Sequence, residues 1–182
     1  MSFTTIILAG GKSSRMGQDK GLMFLKGKPM IEHIIDVVKP FSEEILIVAN
    51  DYNYKKFGVS VFYDEIKEKG PLAGIYTGLK NSSSEWNLIL SCDVPYVNER
   101  LIKLLIENSN GFDITIPQKD NQTHQLIGVF NKNCIHSFKA NLDQNQLKLK
   151  NAYESLNLNI VDANIIEDKV FTNINSKDDI KA

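Results

Sequence analysis

Apolar and polar residues alternate along the chain with two different periods. Short β-branched apolar runs, typical of buried strands, are separated by longer segments in which apolar residues recur at helical spacing. The predicted strands span residues 4–8, 44–49, 59–63, 86–92, 113–116, 124–130 and 159–162, with a polar loop at 118–123. The predicted helices span residues 30–39, 71–81, 98–107, 134–141 and 146–156. This alternation predicts an α/β fold of three layers, with helices on both faces of a mostly parallel central sheet.

The first predicted strand runs directly into a glycine turn that is followed by cations. Gly10 and Gly11 come first, and Lys12, Arg15 and Lys20 follow. Glycine lets the backbone approach a ligand closely, and successive backbone N–H groups in such a turn can converge on an anion. Arginine adds a planar fork that matches phosphate oxygens, and lysine adds a point charge. The stretch therefore predicts a phosphate-binding loop.

Two common phosphate-binding motifs are excluded by their spacing. The Walker A motif requires a glycine five residues before its Gly-Lys-Ser, and Ile6 occupies that position relative to Gly11. The dinucleotide fingerprint G-x-G-x-x-G also fails, because Lys12 and Ser13 lie two residues after Gly10 and Gly11. The loop therefore matches neither of these motifs, and the alternative to a phosphate-binding loop is a glycine turn followed by a solvated basic loop.

Polar residues also follow three later strands. Asn50, Asp64 and Asp93 each stand at or just past the end of a predicted strand. In open α/β sheets, ligands bind at the carboxyl ends of the strands, so we expect these side chains to share an edge with the glycine turn. A single strand-end carboxylate beside phosphates suits Mg²⁺, and Asp93 is the predicted ligand. The alternative role for Asp93, capping the next helix, is better filled by Asn98.

Small residues open the second predicted helix, where residues 70–75 read GPLAGI. Pro71 suits the first turn of a helix, and the free backbone N–H groups of that turn favour an anion or a polar base edge. The small residues allow a second interpretation, in which they serve tight packing of the helix on the sheet. Both interpretations stay open on the sequence alone.

Composition limits the classes of partner and compartment. The 182 residues carry a net charge of −1, with 42% hydrophobic and 24% charged residues, which predicts one domain over residues 1–182. The balanced charge argues against a nucleic-acid partner, and the absence of a long apolar run argues against a membrane span. Cys92 and Cys134 fit reduced thiols, and no signal-peptide pattern opens the chain, so a cytoplasmic protein is expected.

Residues 8–20, which read LAGGKSSRMGQDK, resemble the signature of the molybdenum cofactor guanylyltransferases. These are nucleotidyltransferases with a Rossmann-like, glycosyltransferase-A-type fold, and GPLAGI matches the same family. The resemblance implies catalytic roles for Arg15, Lys20 and Asp93, with Mg²⁺ held by Asp93. It implies nucleotide contacts from Leu8, Ala9, Gly10, Gly11, Lys20, Asn50, Asp64, Gly70, Pro71, Leu72, Gly74 and Asp93.

The resemblance also implies a reaction and its partners. The terminal phosphate of molybdopterin would attack the α-phosphorus of GTP, and pyrophosphate would leave. With no covalent nucleophile evident, catalysis would rest on positioning and charge neutralisation. Proteins that deliver the cofactor, or molybdoenzymes that receive it, are expected as further partners.

The C-terminal third resembles the family less closely. Residues 170–175 resemble its closing strand, and His124, Asn173 and Asn175 are the expected pterin-side residues. The chain has Gln125 where the family usually has proline after the histidine, and residues 176–179 read SKDD where the family has Thr-Pro-Glu-Asp. These departures motivate one alternative, a non-catalytic nucleotide-binding adaptor.

A second alternative keeps the fold and changes the substrates. A cytidylyl- or uridylyltransferase would act on another phosphorylated acceptor. Gly10 and the GPLAGI segment argue against it, because the cytidylyl branch more often has alanine at the position of Gly10.

Overall fold

The computed structural model describes residues 2–10, 19–64, 66, 69–176 and 178–179. Its strands are β1 (Phe3–Leu8), β2 (Phe24–Leu25), β3 (Lys28–Pro29), β4 (Glu44–Val48), β5 (Ser60–Phe62), β6 (Trp86–Ser91), β7 (Ile114–Lys119), β8 (Gln122–Thr123), β9 (Ile127–Asn131) and β10 (Leu158–Asp162). Its α-helices are α1 (Met30–Val38), α2 (Gly70–Asn81), α3 (Glu99–Glu107), α4 (Cys134–Asp143) and α5 (Leu149–Tyr153). Short 3₁₀ helices span Lys20–Leu22, Lys39–Phe41, Tyr52–Phe57 and Asp168–Phe171.

The main sheet has the strand order β10-β7-β9-β6-β1-β4-β5, and β8 pairs with β7. Strand β9 runs antiparallel to both of its neighbours, whereas β1 is parallel to β4 and β6, β4 to β5, and β7 to β10. The predicted α/β class and the mostly parallel sheet are confirmed. Strands β2 and β3 form a separate antiparallel pair.

Both faces of β1 are covered, because alternate side chains of a strand point to opposite sides of the sheet. Ile7 packs with residues of α1 and α3 in one core cluster, and Ile6 and Leu8 pack with residues of α2, α4 and α5 in the other. All six residues of β1 are buried. The chain thus forms three layers with the sheet in the middle, and no helix of the described ranges is long and apolar enough to cross a membrane.

Helix α2 lies unusually close to β1. A Cβ at Gly78 would fall 2.4 Å from Cγ2 of Ile6, and a Cβ at Gly74 would fall 3.4 Å from Cδ2 of Leu8. The close approach requires a small residue at Gly78, outside residues 70–75, whereas a Cβ at Gly74 would make an ordinary contact, so both interpretations of residues 70–75 stay open. The same close approach brings the N-terminus of α2 near the end of β1.

Three predicted elements differ from the structure. Residues 118–123 form a hairpin instead of a loop, because Asp120 and Asn121 have positive φ values of 48° and 63° and make a two-residue turn between β7 and β8. Strand β9 begins at Ile127, so His124 lies before it, and α5 is shorter than the predicted helix over 146–156.

Residues 170–175 do not form the expected closing strand. They begin inside the last 3₁₀ helix, and the N–H groups of Val170 and Thr172 bond to the nearby carbonyls of Glu167 and Lys169. Because these two N–H groups bond within the segment, they are not available to a neighbouring strand. The β-branched residues of the segment therefore do not lead to strand pairing.

The close approach of α2 gives a test of the packing. We expect Gly78→Ala to lower the free energy of unfolding by about 1–2 kcal/mol, the typical cost of overpacking less the gain in helix propensity. Gly74→Ala is the matched control and should keep or raise stability, since its Cβ makes an ordinary contact. Urea denaturation checks both, and equal stability of the two variants would contradict the packing described for Gly78.

Candidate functional site

The carboxyl ends of the parallel strands meet at one edge of the sheet. Leu8 pairs with Val48 on one side and with Ser91 on the other. Two further bonds extend this alignment, from Ala9 N to the Val48 carbonyl and from Cys92 N to the Leu8 carbonyl, both at 2.9 Å. The residues that follow these strands are therefore neighbours, separated by roughly one strand spacing of about 4.8 Å.

Strand order reverses at this edge. From β1 the chain crosses to β4 through α1 on one face, and from β5 it returns through α2 on the other face to β6, on the opposite side of β1. Such a reversal leaves a crevice outside the carboxyl ends of the two central strands, which is the usual ligand site of open α/β sheets. Gly10 and Asp93 follow these two strands directly.

Gly10 and Asn50 lie side by side at the crevice. Both are exposed, and a Cβ at Gly10 would lie 4.0 Å from Nδ2 of Asn50. The predicted convergence of these two residues is confirmed in the geometry of the fold. Gly11, Lys12 and Arg15, to which the phosphate-loop prediction also refers, lie outside the described residues.

Asp93 stands at the end of β6 with a partly exposed side chain. No cluster of three or more His, Cys, Asp or Glu side chains that could hold a metal occurs among the described residues. Among the described residues, a metal at Asp93 would thus take at most two such side chains and complete its coordination with water and ligand oxygens. This donor set fits Mg²⁺, which is usually held by one or two carboxylates together with substrate phosphates.

Lys20 reaches the crevice from the first 3₁₀ helix. Its Nζ donates a hydrogen bond of 2.7 Å to Oδ1 of Asn175, which is 155 residues away in sequence. The neighbouring Ile174 donates its backbone N–H to the Asp93 carbonyl at 2.8 Å. The C-terminal segment therefore contacts both the lysine and the aspartate for which catalytic roles are predicted.

A capping box holds this C-terminal segment. Oδ2 of Asp179 accepts the backbone N–H groups of Asn175 and Ser176, each at 2.8 Å, and Asp179 N donates to Oγ of Ser176 at 3.3 Å. These bonds to the charged carboxylate lower the pKa of Asp179. The departure from Thr-Pro-Glu-Asp thus keeps the two side chains that make the cap.

Asp64 is fixed beside α2. Its Oδ1 accepts bonds from Ile66 N at 3.2 Å and from Oγ1 of the buried Thr77 at 3.4 Å. Gly70, the first residue of α2, has a φ of 68°, which favours glycine. Asp64, just past the end of β5, is therefore joined to α2 through Thr77.

The other residues of α2 that are predicted to bind the nucleotide differ in their exposure to solvent. Pro71 is exposed in the first turn, whereas the side chain of Leu72 is fully buried in the core. Leu72 can therefore offer a ligand only its backbone. A Cβ at Gly74 would make van der Waals contact with Leu8, so these two predicted nucleotide-binding residues lie close to each other.

His124 lies at the same edge, just before β9. Its ring stacks on Phe171 with the ring centroids 4.4 Å apart, and burial lowers the pKa of His124, which favours the neutral ring. Backbone bonds fix the position: His124 N donates to the Pro117 carbonyl, and the Tyr153 hydroxyl donates to the Gln125 carbonyl, both at 3.0 Å. Asn173 is exposed between Phe171 and Asn175.

The sequence reasoning missed a buried group behind the crevice. Tyr54, which is completely buried, donates its hydroxyl proton to Oδ1 of Asp19, and the same oxygen accepts Gly21 N at 3.2 Å. Burial raises the pKa of both Asp19 and Tyr54. In the sequence, only the position of Asp19 next to Lys20 pointed to this group. No pattern in the residues around Asp19 or Tyr54 predicts that the two side chains are in contact.

Cys92 borders the same group and is also buried. Burial, with the nearby charges of Asp19 and Asp93, raises the pKa of the Cys92 thiol. The thiol is therefore neutral near pH 7 and a poor nucleophile, as predicted from its place in a strand.

Comparison with known proteins agrees with this geometry. Residues 5–158 match the family described as a MobA-like NTP transferase domain. The probable molybdenum cofactor guanylyltransferase of Flavobacterium johnsoniae is 37% identical over 180 residues, covering 98% of this chain and 95% of that protein. The molybdenum cofactor guanylyltransferase of Vibrio parahaemolyticus is 34% identical over 183 residues, covering 96% and 91%.

Solved structures share the fold. Molybdopterin-guanine dinucleotide biosynthesis protein A from Archaeoglobus fulgidus superposes with a TM-score of 0.80 at 23% identity, covering 98% of this chain and 95% of that one. The 2-C-methyl-D-erythritol 4-phosphate cytidylyltransferase of Thermus thermophilus gives 0.76 at 14% identity, covering 100% and 96%. The family match and the nearly full-length relatives show that this chain belongs to the MobA-like nucleotidyltransferases and, among them, to the molybdenum cofactor guanylyltransferase family.

Proposed function

We propose that the protein transfers GMP from GTP to the terminal phosphate of molybdopterin, releasing pyrophosphate and forming the guanine dinucleotide cofactor. One observation carries the proposal: in a chain of this family, the fold brings Gly10, Asn50, Lys20 and Asp93 to one crevice at the reversal of strand order. Glycine backbone, a cation and a strand-end carboxylate are the parts that binding a nucleoside triphosphate requires.

The nucleotide occupies the β1 side of the crevice. Its triphosphate lies against the turn that begins at Gly10, where exposed backbone permits close approach. Its nucleoside lies towards Asp64 and the first turn of α2, where backbone N–H groups and a carboxylate offer donors and an acceptor. The contacts expected from Leu8, Ala9, Gly11, Pro71, Leu72 and Gly74 belong to the same proposal.

The family's reaction uses a divalent metal, and Mg²⁺ at Asp93 is the proposed ion. When bound, it neutralises charge on the phosphate oxygens. Asp93 holds its position because its own carbonyl accepts the Ile174 N–H and its strand is buried at the centre of the sheet. The backbone that carries the carboxylate is therefore held in place before a ligand arrives.

Charge stabilisation comes from the chain's cations. An oxygen of the acceptor phosphate forms a bond to the α-phosphorus while the bond to the β-phosphate bridging oxygen breaks, and pyrophosphate leaves with that electron pair. Lys20, together with Arg15, offsets the negative charge that accumulates on the leaving group. No covalent enzyme intermediate is required, since the Cys92 thiol is neutral and buried.

The pterin acceptor occupies the side of the crevice formed by the C-terminal segment. Asn175 already contacts Lys20, and the flat face made by His124 and Phe171 lies along the same segment. His124, Asn173 and Asn175 are the proposed acceptor contacts. Proteins that supply or receive the cofactor would approach from this side.

Nucleotide selectivity tests the proposal directly. With Mg²⁺ present, we expect GTP to raise the melting temperature more than CTP, UTP or ATP at equal concentration, because only bound ligand stabilises the folded chain. GTP plus molybdopterin should then release pyrophosphate. A preference for CTP would contradict the guanylyl assignment, and GTP binding without turnover would support the adaptor alternative.

Asp93 provides a second test. We expect Asp93→Ala to lower kcat by at least about 10²-fold, as for other losses of preorganised charge stabilisation, while the melting temperature stays near that of the wild type. Asp120→Asn is the control, because Asp120 is an exposed carboxylate at the end of β7, in a turn that asparagine also tolerates. Unfolding of Asp93→Ala would show a structural role instead.

Lys20 provides a third test. We expect Lys20→Ala to lower kcat by about 10²–10³-fold through the loss of a positioned cation. Lys103→Ala removes an exposed lysine that pairs with Glu99 on α3 and should leave kcat unchanged. Steady-state pyrophosphate release measures both variants, and equal rates would remove Lys20 from the proposed machinery.

A further inference from the structure

Three segments that carry proposed site residues meet at one buried point behind the crevice. The 3₁₀ helix Lys20–Leu22 contributes Gly21, the 3₁₀ helix that follows β4 contributes Tyr54, and the end of β6 contributes Cys92. A Cβ at Gly21 would lie 2.5 Å from the Tyr54 hydroxyl oxygen and 3.3 Å from Cβ of Cys92. The backbone beside Lys20 therefore rests directly on the other two segments.

One carboxylate oxygen joins two of these segments by accepting a hydrogen bond from each. Oδ1 of Asp19 accepts both the Gly21 N–H, at 3.2 Å, and the Tyr54 hydroxyl proton. Tyr54 is completely buried and has Asp19 as its partner, and a buried hydroxyl left unpaired is costly. Asp51 caps the helix that carries Tyr54 by accepting Asn53 N at 2.8 Å, so the donor side of the contact is also fixed.

The identity of Asp19 is not explained by the chemistry of the crevice. A carboxylate next to Lys20 opposes the binding of a polyanionic nucleotide, and Asp51 adds a second negative charge nearby. Its partly buried place and its two hydrogen bonds point to a different use. Both hydrogen bonds end on the Oδ1 oxygen of Asp19, and an amide oxygen could also accept them.

We propose that Asp19 and Tyr54 are positioning residues, which hold the 3₁₀ helix Lys20–Leu22 against the segment after β4 and thereby aim the Lys20 ammonium at the pyrophosphate leaving group. This inference rests on the proposed function of Lys20. Lys20 itself is a long side chain, so the direction of its ammonium depends on how firmly its backbone is placed. Positioning of this kind acts on the transition state, and misplacement of about 1 Å can cost about 10²-fold in rate.

Tyr54→Phe tests the hydrogen bond with little change in packing. We expect kcat for pyrophosphate release to fall by about 10- to 100-fold, with KM for GTP within about threefold of the wild type. Thr4→Val is the matched control, because it removes another buried side-chain bond, from Thr4 to Ser84 at 2.8 Å, at the opposite edge of the sheet. An equal loss of kcat in Thr4→Val would indicate general destabilisation and overturn the inference.

The Lys20→Ala background separates positioning from structural damage. If Tyr54 acts through Lys20, then adding Tyr54→Phe to Lys20→Ala should lower kcat by less than about twofold further, because groups that act as a unit are not additive. A further loss as large as in the wild-type background would overturn the inference while leaving the proposed function intact. A wild-type chain without guanylyl transfer would overturn both.

Two substitutions at Asp19 decide whether its oxygen or its charge matters. Asp19→Asn keeps an acceptor oxygen for Gly21 and Tyr54, so kcat should stay within about threefold of the wild type, and KM for GTP should stay equal or fall. Asp19→Ala removes the acceptor, so its kcat should fall as in Tyr54→Phe. If Asp19→Asn is as impaired as Asp19→Ala, the charge is essential and the proposed role is wrong. Melting temperatures confirm that each variant is folded.

Discussion

The parallel pairing of β1 with both β4 and β6 is the constraint on which the site depends. Because Leu8 is in register with Val48 and Ser91, the residues after all three strands emerge together at one edge. Burial of β1 on both faces requires helices on both sides, so the chain leaves β1 across one face and returns to β6 across the other. The crevice between Gly10 and Asp93 is therefore a consequence of how the central strand is buried.

The two sides of this crevice are held by different kinds of structure. Strand ends and α2 form the side proposed for the nucleotide, and tight packing at Gly78 fixes that helix on the sheet. The side proposed for the acceptor is an irregular segment, anchored by the burial of Ile174 among Met23, Leu25 and Met30 and by a few hydrogen bonds. A segment of that kind can yield locally at lower cost than a central strand. Local freedom on that side would suit the entry of the bulky acceptor in the proposed reaction.

Local patterns predicted most of the sheet and part of the site. The apolar runs that became β1, β4 and β6 were recognisable because each is buried on both faces, and Asn98 caps α3 as expected. The predicted ends of the strands then placed Asn50, Asp64 and Asp93 at the same edge of the sheet, where the structure also has them. The patterns failed where tertiary contacts decide the outcome, as in residues 170–175, whose apolar side chains pack into two core clusters, Val170 and Phe171 into one and Ile174 into the other, instead of pairing as a strand.

Tyr54 shows why the buried contacts behind the crevice could not be predicted from the sequence. It lies in the polar segment YNYKKF, where an aromatic residue is ordinary, and its partner Asp19 is 35 residues away. No spacing rule joins a tyrosine in one 3₁₀ helix to an aspartate that caps another. The roles of all the predicted site residues stay predictions, and Gly11 and Arg15 also lie outside the described residues.

The two departures from the family sequence have structural substitutes. Proline would fix φ after His124, and here the Tyr153 hydroxyl holds the Gln125 carbonyl while His124 N bonds to Pro117. The family's second proline follows its threonine, and here the reciprocal bonds of Ser176 and Asp179 hold this part of the segment without it. Because these hydrogen bonds hold both segments in place, the two sequence departures give no physical reason to expect that acceptor binding is lost.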